Sequence, residues 1–495
     1  MPSQIKSGAF LSYVGIVINI LISLIFTPWM ISTIGKDNFG LYTLAMSVIT
    51  LFVFDFGLSS AVTRYISLYL ARGEIEKANN CIGLIYKLYF FIDIFLFIIL
   101  TTVYFFIPQI YESLSSEEIE QFKIVYIIAS AFSIVSLPFI PLNGILTATE
   151  KFIQLKLCII ANKLIIVVTM SVCLLLGYGL IALVSVNAFA GIIMIAMKYF
   201  CIRKYTLIRV NLNYSNKQER NQILGFSGWV TVIAISQRMI FNIAPSILGI
   251  MSGATSIAIL GVAITIEGST FTFANAINGM FMPKVSRIYS NDDGNILPLM
   301  IKVGRFQVMI IFTIAVIFFC IGHEFIQLWV GKDFDNAFWC SLLLIIPSVI
   351  QLPQEIAQTA VVVANKVRYQ AYCYLMMAIV NIGLAFWLSH LWGALGICAS
   401  ICIAYFVRTI CLNILYRIEL SVDLKEFFIK TYRGLALPFI LIVVSAYLIN
   451  VIFEGLSWYN FIFKGAVLIL VSLVSFWIFY MSSYEKKQIK SLFLR

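Results

Sequence analysis

Apolar residues run along this chain in long unbroken stretches, separated by short polar breaks. Such runs cross a bilayer as helices, because roughly 20 apolar residues span about 30 Å of hydrocarbon. The pattern predicts fourteen spans, near 9–34, 41–66, 82–107, 123–147, 158–177, 180–200, 223–248, 258–282, 302–322, 338–363, 371–389, 394–416, 433–453 and 460–481. An outer-membrane barrel is excluded, since its strands alternate polar and apolar positions. The fold class is therefore an all-α integral membrane protein. Fourteen helices use roughly 290 residues, which leaves short loops and no room for a sizeable soluble domain. Residues 9–34 run too long and lack a small-residue cleavage site, so they are read as the first span and not as a signal peptide.

Of the 495 residues, 61% are hydrophobic and 12% charged. A soluble globular chain and a disordered one are both excluded by that balance. The net charge of +11 would suggest nucleic acid in a soluble protein, but its distribution has a simpler source. Alternate connections are basic: Arg72 and Lys77; Lys151 and Lys156; Arg203, Lys204, Arg209, Lys217 and Arg220; Lys284 and Arg287; Lys366 and Arg368; Arg417, Lys425 and Lys430; and the tail Lys486, Lys487, Lys490 and Arg495. The other connections are short or acidic, with Glu112, Glu117, Glu118 and Glu120 in one and Glu324, Asp333 and Asp335 in another. The positive-inside rule then puts both termini in the cytoplasm. The ten cysteines form no CxxC pair and no metal-ligand spacing, and are read as small packing residues.

A repeat is visible at an offset of 218 residues. Gly35-Lys36-Asp37-Asn38-Phe39-Gly40-Leu41-Tyr42-Thr43-Leu44-Ala45 aligns with Gly253-Ala254-Thr255-Ser256-Ile257-Ala258-Ile259-Leu260-Gly261-Val262-Ala263. Identity is weak, but both segments are outward hairpins between an up-going and a down-going helix. Span 1 then corresponds to span 7. The chain divides into an N-lobe of spans 1–6 (1–216), a C-lobe of spans 7–12 (217–425), and spans 13–14 with a tail (426–495). Six spans per lobe make parallel repeats around a central cavity, related by an axis along the membrane normal. The basic stretch near 201–222 is the natural link between lobes.

Each charge inside a span needs a reason, because insertion at mid-bilayer costs about 2.5–3.5 kcal/mol or more. Lys123, Lys198 and Lys464 lie near helix ends and are read as snorkelling. Arg64, near the end of span 2, either snorkels or reaches into a cavity. Asp55, Asp93, Lys163, Arg238, Glu267 and Arg408 are harder to place. Arg238 and Glu267 each fall about 15 Å below the outer surface at 1.5 Å per residue. They are read either as a buried ion pair across the hairpin of spans 7 and 8 or as part of a cavity-lining polar cluster. The second reading draws on Asn242 and Pro245, which share a face with Arg238, and on Asn278, which shares one with Glu267. Pro245 also provides a hinge in span 7. Lys163 and Arg408, with Arg64, make a cationic vestibule suited to phosphate or pyrophosphate, or they snorkel to headgroups. Asp55 and Asp93 carry protons in a coupled cycle or neutralise these cations.

Other signals carry little. Asp55-Phe56-Gly57 spells a kinase metal motif but sits in an apolar helix, with no Gly-rich loop or HRD sequence. There is no Walker A sequence, and no metal or cofactor is expected. His323 and His390 fall at outer helix ends. No large outer loop holds paired carboxylates or a Ser/His/Asp set, which argues against a membrane glycosyltransferase or ligase.

The stretch Gly35-Lys36-Asp37-Asn38-Phe39-Gly40-Leu41-Tyr42 resembles the first outer hairpin of bacterial polysaccharide-unit flippases. Their superfamily also holds multidrug extruders and the lipid II flippase. Asp55-Phe56-Gly57-Leu58, Thr63-Arg64-Tyr65 and Ala71-Arg72-Gly73-Glu74 resemble the end of span 2 and the loop after it, and Phe281-Met282-Pro283-Lys284-Val285-Ser286 resembles the matching place in the second lobe. The resemblance extends over the whole chain and implies a MATE-like fold in the bacterial inner membrane. It implies movement of an undecaprenyl-pyrophosphate-linked oligosaccharide, an O-antigen or related surface polysaccharide unit, from the cytoplasmic to the periplasmic leaflet. It further implies coupling to H+ or Na+, and a polysaccharide polymerase and chain-length machinery as partners. The cationic lumen of that family is matched by depth to Arg64, Lys163, Arg238 and Arg408, of which only Arg64 lies in a family motif. Asn242, Asn275 and Asn278 are candidate sugar contacts, and Asp55, Asp93 and Glu267 candidate coupling or charge-pair residues. A cation-coupled multidrug extruder calls for a net acidic cavity and twelve spans. A lipid II flippase shares the fourteen-span plan and differs in being essential.

Overall fold

A computed structural model describes residues 2–52, 56–275, 285, 288, 295–364, 366–483 and 485–487. Among these, every regular element is helical. Twelve helices are long and apolar enough to cross a membrane, and they coincide with spans 3 to 14 of the sequence pattern. The first expected span corresponds to a shorter apolar helix, Ile18–Ile34. The second is not continuous. It is divided into α2 (Lys36–Phe52) and α3 (Leu58–Ala71), and Gly57 before α3 takes a left-handed φ of 69°. The Phe56-Gly57 pair therefore belongs to a helix break, contrary to the uninterrupted helix expected there; Asp55 lies outside the described residues.

The chain forms two compact units, Met1–Gly261 with Tyr374–Ile401, and Val262–Cys373 with Cys402–Arg495. The first holds α1 (Pro2–Ile34), α2, α3, α4 (Ile75–Ile110), α5 (Ser116–Ser136), α6 (Pro141–Ala148), α7 (Phe152–Leu175), α8 (Leu180–Tyr205), α9 (Lys217–Phe241) and α10 (Ala244–Met251). It also takes the start of α11 (Ala254–Asn275). Small residues set its closest approaches. Ser59, Thr63 and Ser67 recur every four residues on α3 and donate to the carbonyls of Ile140, Gly144 and Ala148 at 3.2, 3.4 and 3.5 Å. This is the small-residue packing that replaces a hydrophobic driving force in lipid. The 206–216 connection is strapped to the first turns of α4. The Arg209 amide donates to Asn79 Oδ1 at 2.7 Å, Asn211 Nδ2 to Asn80 Oδ1 at 2.6 Å, and Lys87 Nζ to the Tyr214 carbonyl at 3.0 Å. The stretch expected to link the lobes is thus fastened to α4.

The repeat has a structural counterpart. Gly35 and Gly253 both take left-handed φ values, 84° and 78°, and each is followed by a helix start. Across the seam, Thr255 Oγ1 donates to Asp37 Oδ1 at 2.7 Å. A Cβ on Gly261 would lie 2.7 Å from Thr43 Oγ1. Both pairs carry the 218-residue offset of the repeat, so corresponding positions meet each other, as residues do about a two-fold axis. Gly40 makes the tightest contact there, since a Cβ would stand 2.1 Å from the Ala254 carbonyl oxygen.

The second unit holds the rest of α11, then α12 (Leu297–Trp329), α13 (Asn336–Gln351), α14 (Glu355–Val363), the end of α16 (Ala394–Glu419), α17 (Leu424–Tyr432), α18 (Ala436–Ile452) and α19 (Trp458–Ser475). Most of α15 (Val367–Trp392) belongs to the first unit. Lys464 does not snorkel. It is buried on α19 and paired with Glu324 of α12 at 2.8 and 3.1 Å. Lys198 is likewise buried in α8. The segment after α19 folds back onto α12. Arg305 Nε donates to Glu485 Oε1 at 2.7 Å and Nη2 to Oε2 at 3.1 Å, while the Ser482 amide and hydroxyl also reach Glu485 Oε2. Burial alone would push the Glu485 carboxyl up, but the hydrogen bonds from Arg305 and Ser482 outweigh it and hold it below its ordinary value.

Gly40→Ala is expected to lower the melting temperature of the purified protein sharply, because backbone must move to admit the methyl. Gly228→Ala, with open space around it, should leave it unchanged or raise it. For Glu485, a lowered folded value means that its contribution is complete above the unfolded glutamate value of about 4.3 and is lost as pH falls through the folded one. Melting temperatures of the wild type and Glu485→Gln should therefore differ at neutral pH and converge in acid.

Candidate functional site

In hydrocarbon the backbone groups at the break between α2 and α3 must be satisfied from within the protein. The Gly57 carbonyl keeps its helical donor, the Ala61 amide, at 3.1 Å, and helix α9 supplies further donors. Thr231 Oγ1 donates to the Phe56 carbonyl at 2.5 Å and Ser227 Oγ to the Gly57 carbonyl at 3.3 Å. Further along α9, Arg238 Nη1 donates to the Thr50 carbonyl, and Asn242 Nδ2 to Thr50 Oγ1. Positions 227, 231, 238 and 242 lie within an arc of about 60° at 3.6 residues per turn. One polar stripe of α9 therefore faces the broken helix. Gly57 allows the approach, because a Cβ there would be 2.7 Å from the Ser227 carbonyl oxygen.

The same stretch of α9 is tied from another side. Asn381 Nδ2 of α15 donates to the Met239 carbonyl at 3.1 Å, and Ser400 Oγ of α16 to Asn381 Oδ1 at 3.2 Å. Asn381 and Ser400 are buried. The helix then stops at Phe241 and resumes as α10, with Pro245 in the first turn, at the interruption Pro245 leads one to expect.

Beside this stripe lies a cavity of about 560 Å³ bordered by Leu51, Phe56, Phe91, Phe95, Ile235 and Arg238 among others. Among the described residues that border it, Arg238 is the charged side chain and the rest are apolar. Phe91 and Phe95 are largely exposed on the outer face of α4. The described lining therefore combines a guanidinium with aliphatic and aromatic side chains. The second unit carries a larger apolar groove of about 880 Å³, bordered by α12 and α19 with Phe306, Met309, Phe318 and Phe476.

The other expected site residues are dispersed. Arg64 is exposed on α3, with its guanidinium carbon 6.0 Å from the Tyr65 ring centroid. Lys163 is half-buried on α7. Neither borders the Arg238 cavity. Asp93 is half-buried on α4, and its Oδ1 finds no hydrogen-bond partner among the described residues. In the second unit Arg408 is buried on α16 with its guanidinium 4.4 Å over the Tyr405 ring. Glu267 is half-buried on α11, and Asn275 is the last described residue of that helix. Arg238 and Glu267 belong to different units. Asn278 lies outside the described residues.

Several groups escaped the reading of hydropathy. Thr50, Ser227, Thr231, Asn381 and Ser400 are ordinary polar residues that apolar spans absorb. Glu355 sits inside a span, opens α14 after a break at Pro353, and accepts from Gln358 Nε2 at 2.8 Å. The run Gln351-Leu352-Pro353-Gln354-Glu355 marks it, being too polar for an unbroken apolar helix. Replacing both hydroxyls on α9, as Ser227→Ala with Thr231→Val, should cost about 1–3 kcal/mol in all, at about 0.5–1.5 kcal/mol for each hydrogen bond lost to the break. Hydrogen exchange at residues 56–61 should rise with it.

Comparison with known proteins places the chain. A curated relative, the uncharacterized membrane protein EpsK of Bacillus subtilis (strain 168), is 22% identical over 440 residues, 84% of each chain. The fold is similar to that of the lipid II flippase MurJ in an inward closed conformation, with a TM-score of 0.72 at 11% identity, over 95% of this chain and 98% of that one. It is also similar to an inward-facing multidrug resistance MATE family transporter of the MOP superfamily, with a TM-score of 0.65 at 14% identity, over 82% of this chain and 99% of that one. The description "Polysaccharide biosynthesis protein" matches residues 5–289, more than half of the chain, and the chain belongs to that family.

Proposed function

We propose that this protein flips undecaprenyl-pyrophosphate-linked oligosaccharide units from the cytoplasmic to the periplasmic leaflet of a bacterial inner membrane. The observation that carries the reading is the Arg238 cavity, where the described lining sets a guanidinium among apolar side chains. A polyprenyl pyrophosphate has the complementary chemistry, since its tail prefers hydrocarbon and its anion needs a cation in a low-dielectric setting. Membership of a polysaccharide biosynthesis family and a fold shared with a lipid II flippase support the same substrate class. The apolar groove between α12 and α19 adds a surface on which a long isoprenoid can lie. Asn242 and Asn275 are the described candidates for sugar contacts.

Transport proceeds by alternating access of these groups to the two leaflets. Fixed cations bind the same anion in both states, so direction comes from elsewhere, through a proton or sodium gradient or consumption of the unit outside. Asp93 and Glu267 are the described candidates for coupling, and both termini face the cytoplasm. A drug extruder that takes organic cations would place acid where this cavity has Arg238.

Deletion of the gene should abolish surface polysaccharide and trap the complete lipid-linked unit in the inner membrane. Arg238→Ala should do the same at normal protein levels, and Arg238→Lys should retain partial export. Normal polysaccharide in the deletion strain, together with altered drug tolerance, would overturn the reading.

A further inference from the structure

Pro353 interrupts the tenth span. Its nitrogen bears no hydrogen, so the Val349 carbonyl one turn earlier loses its helical donor. Tyr432, the last residue of α17, donates its hydroxyl to that carbonyl at 2.9 Å. The end of α17 is itself held from two sides. Its Lys430 carbonyl accepts from Arg305 Nη1 at 2.9 Å, and its Thr431 carbonyl from the Tyr480 hydroxyl. Arg305 lies 4.2 Å over the Tyr480 ring and donates to the Tyr480 carbonyl and to both oxygens of Glu485. Phe427 of α17 is fully buried against the same place. A Cβ on Gly304 would sit 3.0 Å from the Pro353 carbonyl and 3.3 Å from the Phe427 ring. One continuous chain of hydrogen bonds therefore runs from the tail carboxylate, through Arg305 and α17, to the bend in span 10.

We propose that Glu485, held by Arg305 and Ser482, is a latch that sets the mobility of the Pro353 bend. A proline break is a hinge unless its freed groups are held by neighbours. Here, among the described residues, the donor to Val349 from outside its own span is Tyr432 of α17, and α17 is fixed by Arg305 and Tyr480. The Arg305–Glu485 pair is little exposed, at 14% and 6% of the respective side chains, so salt screens it weakly. With the latch closed, α13 and α14 move as one body. With it open, Tyr432 withdraws and α14, which carries Glu355, tilts independently of α13. The device is independent of what the protein carries.

The test is hydrogen exchange on the full-length chain in nanodiscs, comparing wild type, Glu485→Gln, Tyr432→Phe and the double variant. Glu485→Gln should speed exchange of residues 349–360 at least tenfold and leave residues 79–90, in the other unit, unchanged. Tyr432→Phe should speed the same residues while the tail stays protected, since it cuts the chain downstream. The double variant should be no faster than the faster single one, as expected of two breaks in one path. Faster exchange confined to residues 476–487 in Glu485→Gln, an unchanged bend in Tyr432→Phe, or additive effects would each overturn the proposal. Tyr432→Phe alone decides the matter if Glu485→Gln fails to fold.

Discussion

A helix that breaks inside hydrocarbon leaves carbonyls that no water can reach, and the protein itself must supply their donors. That constraint organises both compact units. At the α2–α3 break the donors are Ser227, Thr231 and Arg238 of α9. At the Pro353 break the donor is Tyr432 of α17. Each break is thereby tied to one particular neighbouring helix, and its side chains are fixed in place with it. The Arg238 cavity exists because α9 must lie against the broken helix with its polar stripe inward. The groups that satisfy the fold and the groups that offer binding chemistry are largely the same residues.

Buried cations are treated in three different ways here, and the differences bear on role. Lys464 meets a carboxylate from Glu324 and is fully engaged. Such a pair repays its desolvation only when both partners stay in place, which marks it as structural. Arg408 lies against an aromatic face. Arg238 donates to a backbone carbonyl and borders open volume.

Hydropathy made twelve of the fourteen spans legible, because length and apolarity are summed over many residues and tolerate local exceptions. It misread span 2 because the break needs only Gly57 and a few unpaired carbonyls, which scarcely alter the average. It did locate Arg238, since a charge at that depth has no cheap explanation. It misread Lys464 and Lys198, since proximity to a helix end suggests snorkelling and says nothing of what packs above. The hydroxyls of α9 were invisible for a related reason. Serine and threonine are common within membrane helices, and only their three-dimensional alignment with a break gives them meaning. The repeat was read from glycines and helix starts, and its pairing across the seam required coordinates.

That seam has a consequence for the history of the chain. Where a half-length protein associates with its own copy, each position on the axis faces itself, and every substitution is felt twice. Joining the two halves in one gene removes that restriction. Asp37 now faces Thr255, and Thr43 faces Gly261, so a carboxylate meets a hydroxyl donor and a side chain meets a vacancy. Neither arrangement is open to a symmetric pair, in which two carboxylates would repel and two threonines would collide. At these two positions the contact between the halves therefore draws on their divergence, while Gly40 against the Ala254 backbone, away from the self-facing positions, asks only for a glycine.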